Sequence, residues 1–330
     1  MMNRILIAAL LQCLLLAGHA QAAAPGLPEP VGAIPLPSVS GRIDHMDLDA
    51  AGGRLFIAAL GNNTLEAVDL KQNRRIKTLS GFGEPQGVVY AAAAGRLFVA
   101  SGSANRVDMF DAATLAVVKR IDGLEDADNL RMDAAAGQVI VGHGSGGLRV
   151  LDAKTGESLG DIKLAGHPES FQLEKSGKRI FVNVPTAGHI AVVDRAARKV
   201  VATWALRDAA ANFPMTLDEA GHRLYVATRK PAALLVYDTE AGKQVDRIAI
   251  GGDADDLFFD PASKRIYAIC GEGMITVVAQ ADADHHSVVG SVKTATRART
   301  GFFDSASRRL YVAVPAGLVG AAELRIYRVP

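Results

Sequence analysis

Four acidic residues, Asp44, Asp128, Glu169 and Asp255, share one register in this chain. Each stands eleven residues before an aliphatic residue set in a short β-branched and aromatic run. Three further copies of the register carry Gln86, Phe213 and Arg299. One residue later come His45, Gly87, Asn129, Ser170, Pro214, Asp256 and Thr300, after which the chain turns apolar at Met46, Val88, Leu130, Phe171, Met215 and Leu257. Charge therefore collects where each segment is about to enter a core. Carboxylate oxygens are hard ligands suited to calcium or magnesium, and an added imidazole suits a transition metal. The expected cation ligands are Asp128, Glu169, Asp256 and His45, with Arg299 opposing them. Four carboxylates at one opening repel unless something neutralises them. The same residues also read as solvated loop groups, or as carboxylates bonded to the backbone of neighbouring turns, and the sequence leaves these readings open.

Other polar groups belong to the same expected ligand-binding mouth. His143 and His189 fall in loops that should face it, and His167 opens the segment Gly166-His167-Pro168-Glu169. His45 with Asp44, or His167 with Glu169, could form an acid–base pair. Exposed loop histidines are the plainer reading, since an imidazole titrating near neutrality is no sign of catalysis. Arg229 and Arg299 place positive charge opposite the acids, a polarity able to orient an anionic or zwitterionic ligand. Phe213 is the one aromatic of the register and can pack a ligand ring or simply cap the core. Asn129 and Asn212 complete the set. Catalytic residues are not assignable. The run Gly142–Gly147 matches G-x-G-x-x-G by letter but has no helix after it, which excludes a dinucleotide site. The chain has no P-loop, no H-E-x-x-H, no C-x-x-C and no G-x-S-x-G elbow. Whether the protein is an enzyme stays open at this level.

What must position these residues is a repeat. Gly53-Arg54-Leu55-Phe56-Ile57-Ala58, Gly95-Arg96-Leu97-Phe98-Val99-Ala100 and Gly221-His222-Arg223-Leu224-Tyr225-Val226-Ala227 are copies of one unit. The anchors Leu55, Leu97, Val139, Ile180, Leu224, Ile266 and Leu310 are separated by 42, 42, 41, 44, 42 and 44 residues. A fixed period of this size, built only of short strand-like runs, predicts an all-β, seven-bladed β-propeller with four-stranded blades. The third strand of a repeat often ends in aspartate (Asp69, Asp111, Asp152, Asp194, Asp238), which can bond the turn it opens. The repeats occupy 41–330, and the seventh lacks its fourth strand. The spare segment 31–37 is the expected donor that closes the ring, its Pro35 tolerable on an edge strand. Closure removes an open sheet edge.

The 330 residues suffice for one large domain, and the formal charge of +1 gives no reason to expect nucleic acid as a partner. Arg4, the apolar run 5–18 and Ala20-Gln21-Ala22 read as a secretory signal peptide, 1–22, cleaved after Ala22, with an uncleaved anchor as the alternative. A Pro/Gly-rich leader, 23–30, follows. A soluble, monomeric, periplasmic or secreted product without a membrane anchor is expected. It would keep one cysteine, Cys270, and hence no internal disulfide. A buried small apolar role suits that cysteine better than a reactive one.

The strand units Arg223-Leu224-Tyr225-Val226-Ala227 and Arg309-Leu310-Tyr311-Val312-Ala313, with the turn Asp238-Thr239-Glu240-Ala241-Gly242, resemble those of the YVTN/YncE-like bacterial seven-bladed propellers over residues 31–330. The resemblance implies the fold and a spread of functions: ligand binders, haem carriers and lactonases. Gluconolactonase-like propellers hold a divalent ion with Glu, Asn and Asp. Glu169, Asn129 or Asn212, and Asp256 are similar in type without matching that motif residue by residue. Two functions follow as expectations. One is an exported propeller binding a small ligand, a cation or a protein partner at its charged mouth. The other is a metal-dependent hydrolase or lyase of lactonase type using the acidic ring. A divalent cation (calcium, magnesium or a transition metal) is the one cofactor considered.

Overall fold

The anchored runs become strands because a tight turn launches each of them. The residue two before the anchor has a left-handed backbone in six repeats: Gly53, Gly95 and Gly137 at φ 69°, 62° and 66°, and His222, Lys264 and Arg308 at 54°, 53° and 56°. Glycine enters this region without steric cost, which explains the recurring Gly-Arg pair, while the other three need the hairpin to hold them there. The computed structural model describes residues 26–318 and 320–330. These form seven antiparallel four-stranded sheets. The segment 1–22, expected to be a signal peptide, and the first residues of the leader lie outside the described residues.

Each sheet is a blade, and in the first six the four strands run outward in chain order. Blade 1 comprises Met46–Asp49, Arg54–Ala59, Thr64–Asp69 and Arg74–Ser80, and blades 2 to 6 span 85–122, 130–163, 171–205, 210–249 and 254–293 in turn. The last sheet comprises Gly301–Asp304, Arg309–Val314, Glu323–Arg328 and, outermost, Glu29–Pro35 from the other end of the chain. The closure predicted from the sequence is therefore present, with its strand starting two residues earlier and ending two residues sooner than 31–37. A register shift between Pro30 and Gly32 leaves Val31 outside the ladder and 44% exposed. Both prolines sit on the outermost strand, where a missing N–H costs little. Ile34 and Leu36 are fully buried, and Leu36 donates its N–H to Ala322 O at 2.8 Å. The leader is not a free tether either: Leu27 packs against blades 6 and 7.

Seven apolar clusters fill the seven gaps between neighbouring blades. All seven anchors are fully buried within them. Burying each such side chain stabilises the fold by about 1.5–3 kcal/mol, so every gap contributes to cohesion. The aspartates that end the third strands cap their turns as expected. Asp152 Oδ1 accepts the N–H groups of Lys154 and Thr155 at 2.9 and 2.8 Å, and Asp69, Asp111 and Asp238 do the same. Outer strands carry Lys77, Lys119, Arg120, Lys199 and Lys243, charges that discourage edge-to-edge pairing. Among the described residues, no helix is long and apolar enough to cross a membrane.

Candidate functional site

The inner strands all run the same way along the channel, so their starts meet at one end. Thirteen residues before the anchors stand Arg42, Glu84, Asp126, His167, Ala211, Asp253 and Arg297. Five of these adopt a positive φ, from 43° at Asp126 to 70° at Arg297. That left-handed step turns the chain into the inner strand and sets this row beside the register of Asp44, Asp128, Glu169 and Asp255.

The ring divides into two halves of different chemistry. On the side of blades 1, 5, 6 and 7, arginines meet the acids. Asp255 receives Arg229 at 2.6 Å, Arg299 at 2.9 Å and Arg42 at 3.4 Å. Asp253 takes Arg299 at 3.0 Å and Arg229 at 3.2 Å, and Asp44 takes Arg42 at 2.9 Å. The neutralising charge expected from a bound cation is supplied here by the chain itself. Arg229 also lies over the Phe213 ring, 4.2 Å from its centroid, so Phe213 serves as a platform for the guanidinium. Asp44 is fully buried. Burial pushes its carboxyl up to about 7 against the pull of His45 and Arg42. His45 lies 3.3 Å from Asp256 and 3.7 Å from Asp44. Burial alone would lower its pKa, but Asp256 and Asp44 outweigh it and raise it to about 10. An imidazolium has no lone pair for a metal. Asp256 is also engaged, accepting the N–H of Gly301 at 2.8 Å. Two members of the expected cation set, His45 and Asp256, are therefore occupied with each other and with the fold.

On the side of blades 3 and 4, Asp128, His167 and Glu169 converge. One ligand atom from each lies within 4.8 Å of the other two. His167 stands 3.7 Å from Asp128 and, through its other nitrogen, 3.7 Å from Asp126. The Asp128 carboxylate beside it raises its pKa, burial opposes, and Glu169 adds to the rise. Glu169 is partly buried, and no side-chain hydrogen bond reaches its carboxylate among the described residues. Burial first, and the Asp128 charge second, push it up to about 8. Asp128 and Glu169 thus come together as expected, with His167 as the third member. Two oxygens and one imidazole form a partial coordination set for a transition metal.

The remaining expected residues do structural work. Gln86 donates to Asp126 Oδ1 at 3.1 Å and ties blade 2 to blade 3. Asn129 is buried, its amide 3.4 Å from Asp128 Oδ1. Asn212 is fully buried and donates to Asn183 Oδ1 at 2.8 Å and to His189 O at 3.2 Å, a lock between blades 4 and 5. The His143 ring leans along its own blade to Asp161, 3.5 Å away, and His189 is half-buried at the start of its strand. Cys270 is fully buried, and burial pushes its thiol up to about 11, so it packs rather than reacts.

Beneath the charged layer the channel opens into a cavity of about 680 Å³. Its lining begins at His45, Ser170 and Asp256 and ends at Lys175, Asp218, Glu219 and Ser305, so it opens at the opposite end. Asp44, Asp128, Glu169 and Asp255 do not line it. The charged ring is a lid on the channel rather than a funnel into it. Sequence reasoning missed Arg42 and Asp253 in the lid, although the thirteen-back row continues the same alternation outward. It also missed the row eight before the anchors, where Asp47, Arg131, Gln172 and Thr216 interrupt core strands. Asp47 accepts the N–H of Tyr90 at 2.6 Å, Gln172 donates to Met215 O at 3.0 Å, and Thr216 accepts from Phe259 N–H at 3.2 Å. Each bond joins one inner strand to the next. Gly87 shows how tightly these strands converge: a Cβ there would lie 2.2 Å from Asp128 O.

The fold and this layered channel define a seven-bladed β-propeller. Solved structures agree: the chain is similar to one in the Kuenenia stuttgartiensis hydrazine synthase at 15% identity, covering 84% of this chain and 93% of that one, with a TM-score of 0.75. It is similar also to one in a mitotic checkpoint complex at 14% identity, covering 98% and 99%, with a TM-score of 0.78. At such identities the likeness is one of fold alone. No family model matches the chain, and no curated protein matches it by sequence.

Proposed function

We propose that this is an exported, YVTN/YncE-like binding propeller that holds a divalent cation at Asp128, His167 and Glu169. Periplasmic or secreted location rests on the signal-like segment 1–22, and the kinship rests on the repeat unit. The observation that carries the cation is the Glu169 carboxylate: partly buried, beside a second carboxylate, and without a hydrogen-bond donor. Two carboxylates so close repel when both are ionised, and a cation between them removes that repulsion. The arginines on the opposite side leave this half of the ring as the one without a fixed guanidinium. The cation would complete its shell with water or with a ligand at the mouth.

Calorimetric titration of chelator-treated protein with Zn²⁺ and Mn²⁺ tests the reading. One site is expected, weakened by about tenfold or more in Asp128→Asn and in Glu169→Gln, as losing a ligand should cost at least as much as losing its supporting partner. No heat, with a melting temperature unchanged by the metals, rejects it. Turnover of a simple aldonolactone by the metal-loaded protein would move the assignment to the metal-dependent hydrolase or lyase of lactonase type.

A further inference from the structure

The cavity beneath the lid has its own chemistry, independent of any cation above. Arg131 lies on its wall. Of its five N–H donors, one bonds Leu130 O at 2.8 Å and one Ser170 Oγ at 3.3 Å. No carboxylate lies within 4 Å of it among the described residues, whereas Arg42, Arg54, Arg229 and Arg299 all have one at 2.6–2.9 Å. The four acids of the lining are committed elsewhere: Asp47 accepts backbone N–H groups from Leu48 and Tyr90, Asp256 holds Gly301 N–H and His45, Asp218 accepts Gly221 N–H, and Glu219 accepts the N–H groups of Lys175, Ser176 and Gly177. Arg131 is thus a cation inside the channel with donors to spare. Below it the wall mixes apolar side chains, among them Met46, Met132, Phe258, Phe302 and Phe303, with polar ones such as Gln172 and Thr216. A volume of this size suits a small molecule.

We propose that the channel interior is a binding site for a small organic monoanion, a carboxylate on an apolar body. The carboxylate meets Arg131, which offers paired donors of the right geometry. The body lies among the methionine and phenylalanine side chains toward the open end. Asp47 and Asp256, with Asp218 and Glu219 toward the open end, limit the ligand to one negative charge, since a second would face them across a channel of reduced dielectric. Entry is from the mouth opposite the charged lid.

The probe is phenylacetate, with 2-phenylethanol as a neutral analogue of similar size and phenyl phosphate as a dianion, each titrated against the full chain. Phenylacetate is expected to bind at least tenfold more tightly than either. Arg131→Gln should abolish that preference, and Arg131→Lys should retain part of it. A crystal soaked in phenylacetate provides a measurement that needs no variant, and its carboxylate is expected within hydrogen-bond distance of Arg131. Failure of phenylacetate to bind, equal binding of the neutral analogue, or a soaked carboxylate lodged away from Arg131 would each overturn the proposal. Phenyl phosphate binding as tightly as phenylacetate would overturn the single-charge assignment.

Discussion

Cation binding at Asp128, His167 and Glu169 should compete with protons, and the competition has a calculable size. The Glu169 carboxyl is raised to about 8 by burial and by Asp128. A cation needs it ionised. At pH 6, about two units lower, the proton is favoured, so the apparent affinity should be weaker than its limit by on the order of 100-fold. His167, whose pKa is also raised, adds to the penalty in the same direction. Affinity for Mn²⁺ should therefore climb steeply from pH 6 to 8 and level off above. Calorimetry at pH 6, 7, 8 and 8.5, each in two buffers of different ionisation enthalpy, reads the affinity and counts the protons released. Glu169→Gln should bind more weakly and release about one proton fewer at pH 7. Equal affinity at pH 6 and pH 8, or binding without proton release, would falsify the assignment of the cation to these residues.

Three further outcomes follow from the same structure. Asp255→Asn leaves Arg42, Arg229 and Arg299 without their shared carboxylate and should lower stability by about 3 kcal/mol in urea, the scale for breaking a buried ion pair; a loss under about 1 kcal/mol would mean the lid is solvated. Ile34→Ala empties a fully buried position on the closing strand and should cost about 2–4 kcal/mol, with an unchanged urea midpoint counting against closure by Glu29–Pro35. His45 has its pKa raised from 6.5 to about 10. Its pairing with Asp256 and Asp44 thus adds stability that is full below about 6.5 and fades as pH rises through about 10. The stability of wild type relative to His45→Gln should accordingly shrink between pH 7 and 10, and parallel pH profiles would contradict it.

Much of the fold was legible because it rests on local rules repeated seven times. The buried anchor recurs near every forty-second position, with the left-handed turn and the basic residue each in six of the seven copies, and each copy reports the same strand independently. The missing fourth strand of the last repeat pointed to the N-terminal donor for the same reason. The site was legible only as a row. Register showed that Asp44, Asp128, Glu169 and Asp255 share one end of the channel, since the strands that carry them are equivalent. It could not show which neighbours each meets, because ring closure sets Arg42 of blade 1 against Asp255 of blade 6.

Composition and period alone determined the seven blades, the apolar gaps between them and the gathering of acids at one end. Tertiary structure decided their chemistry. Buried charge is governed by contacts a few ångströms long between residues up to 213 positions apart, as for Arg42 and Asp255. Three arginines quench one half of the ring, His45 is spent on Asp44 and Asp256, and Glu169 is left without a donor. A charge's environment depends on distance in space, and sequence spacing fixes that distance within one blade but not across the ring.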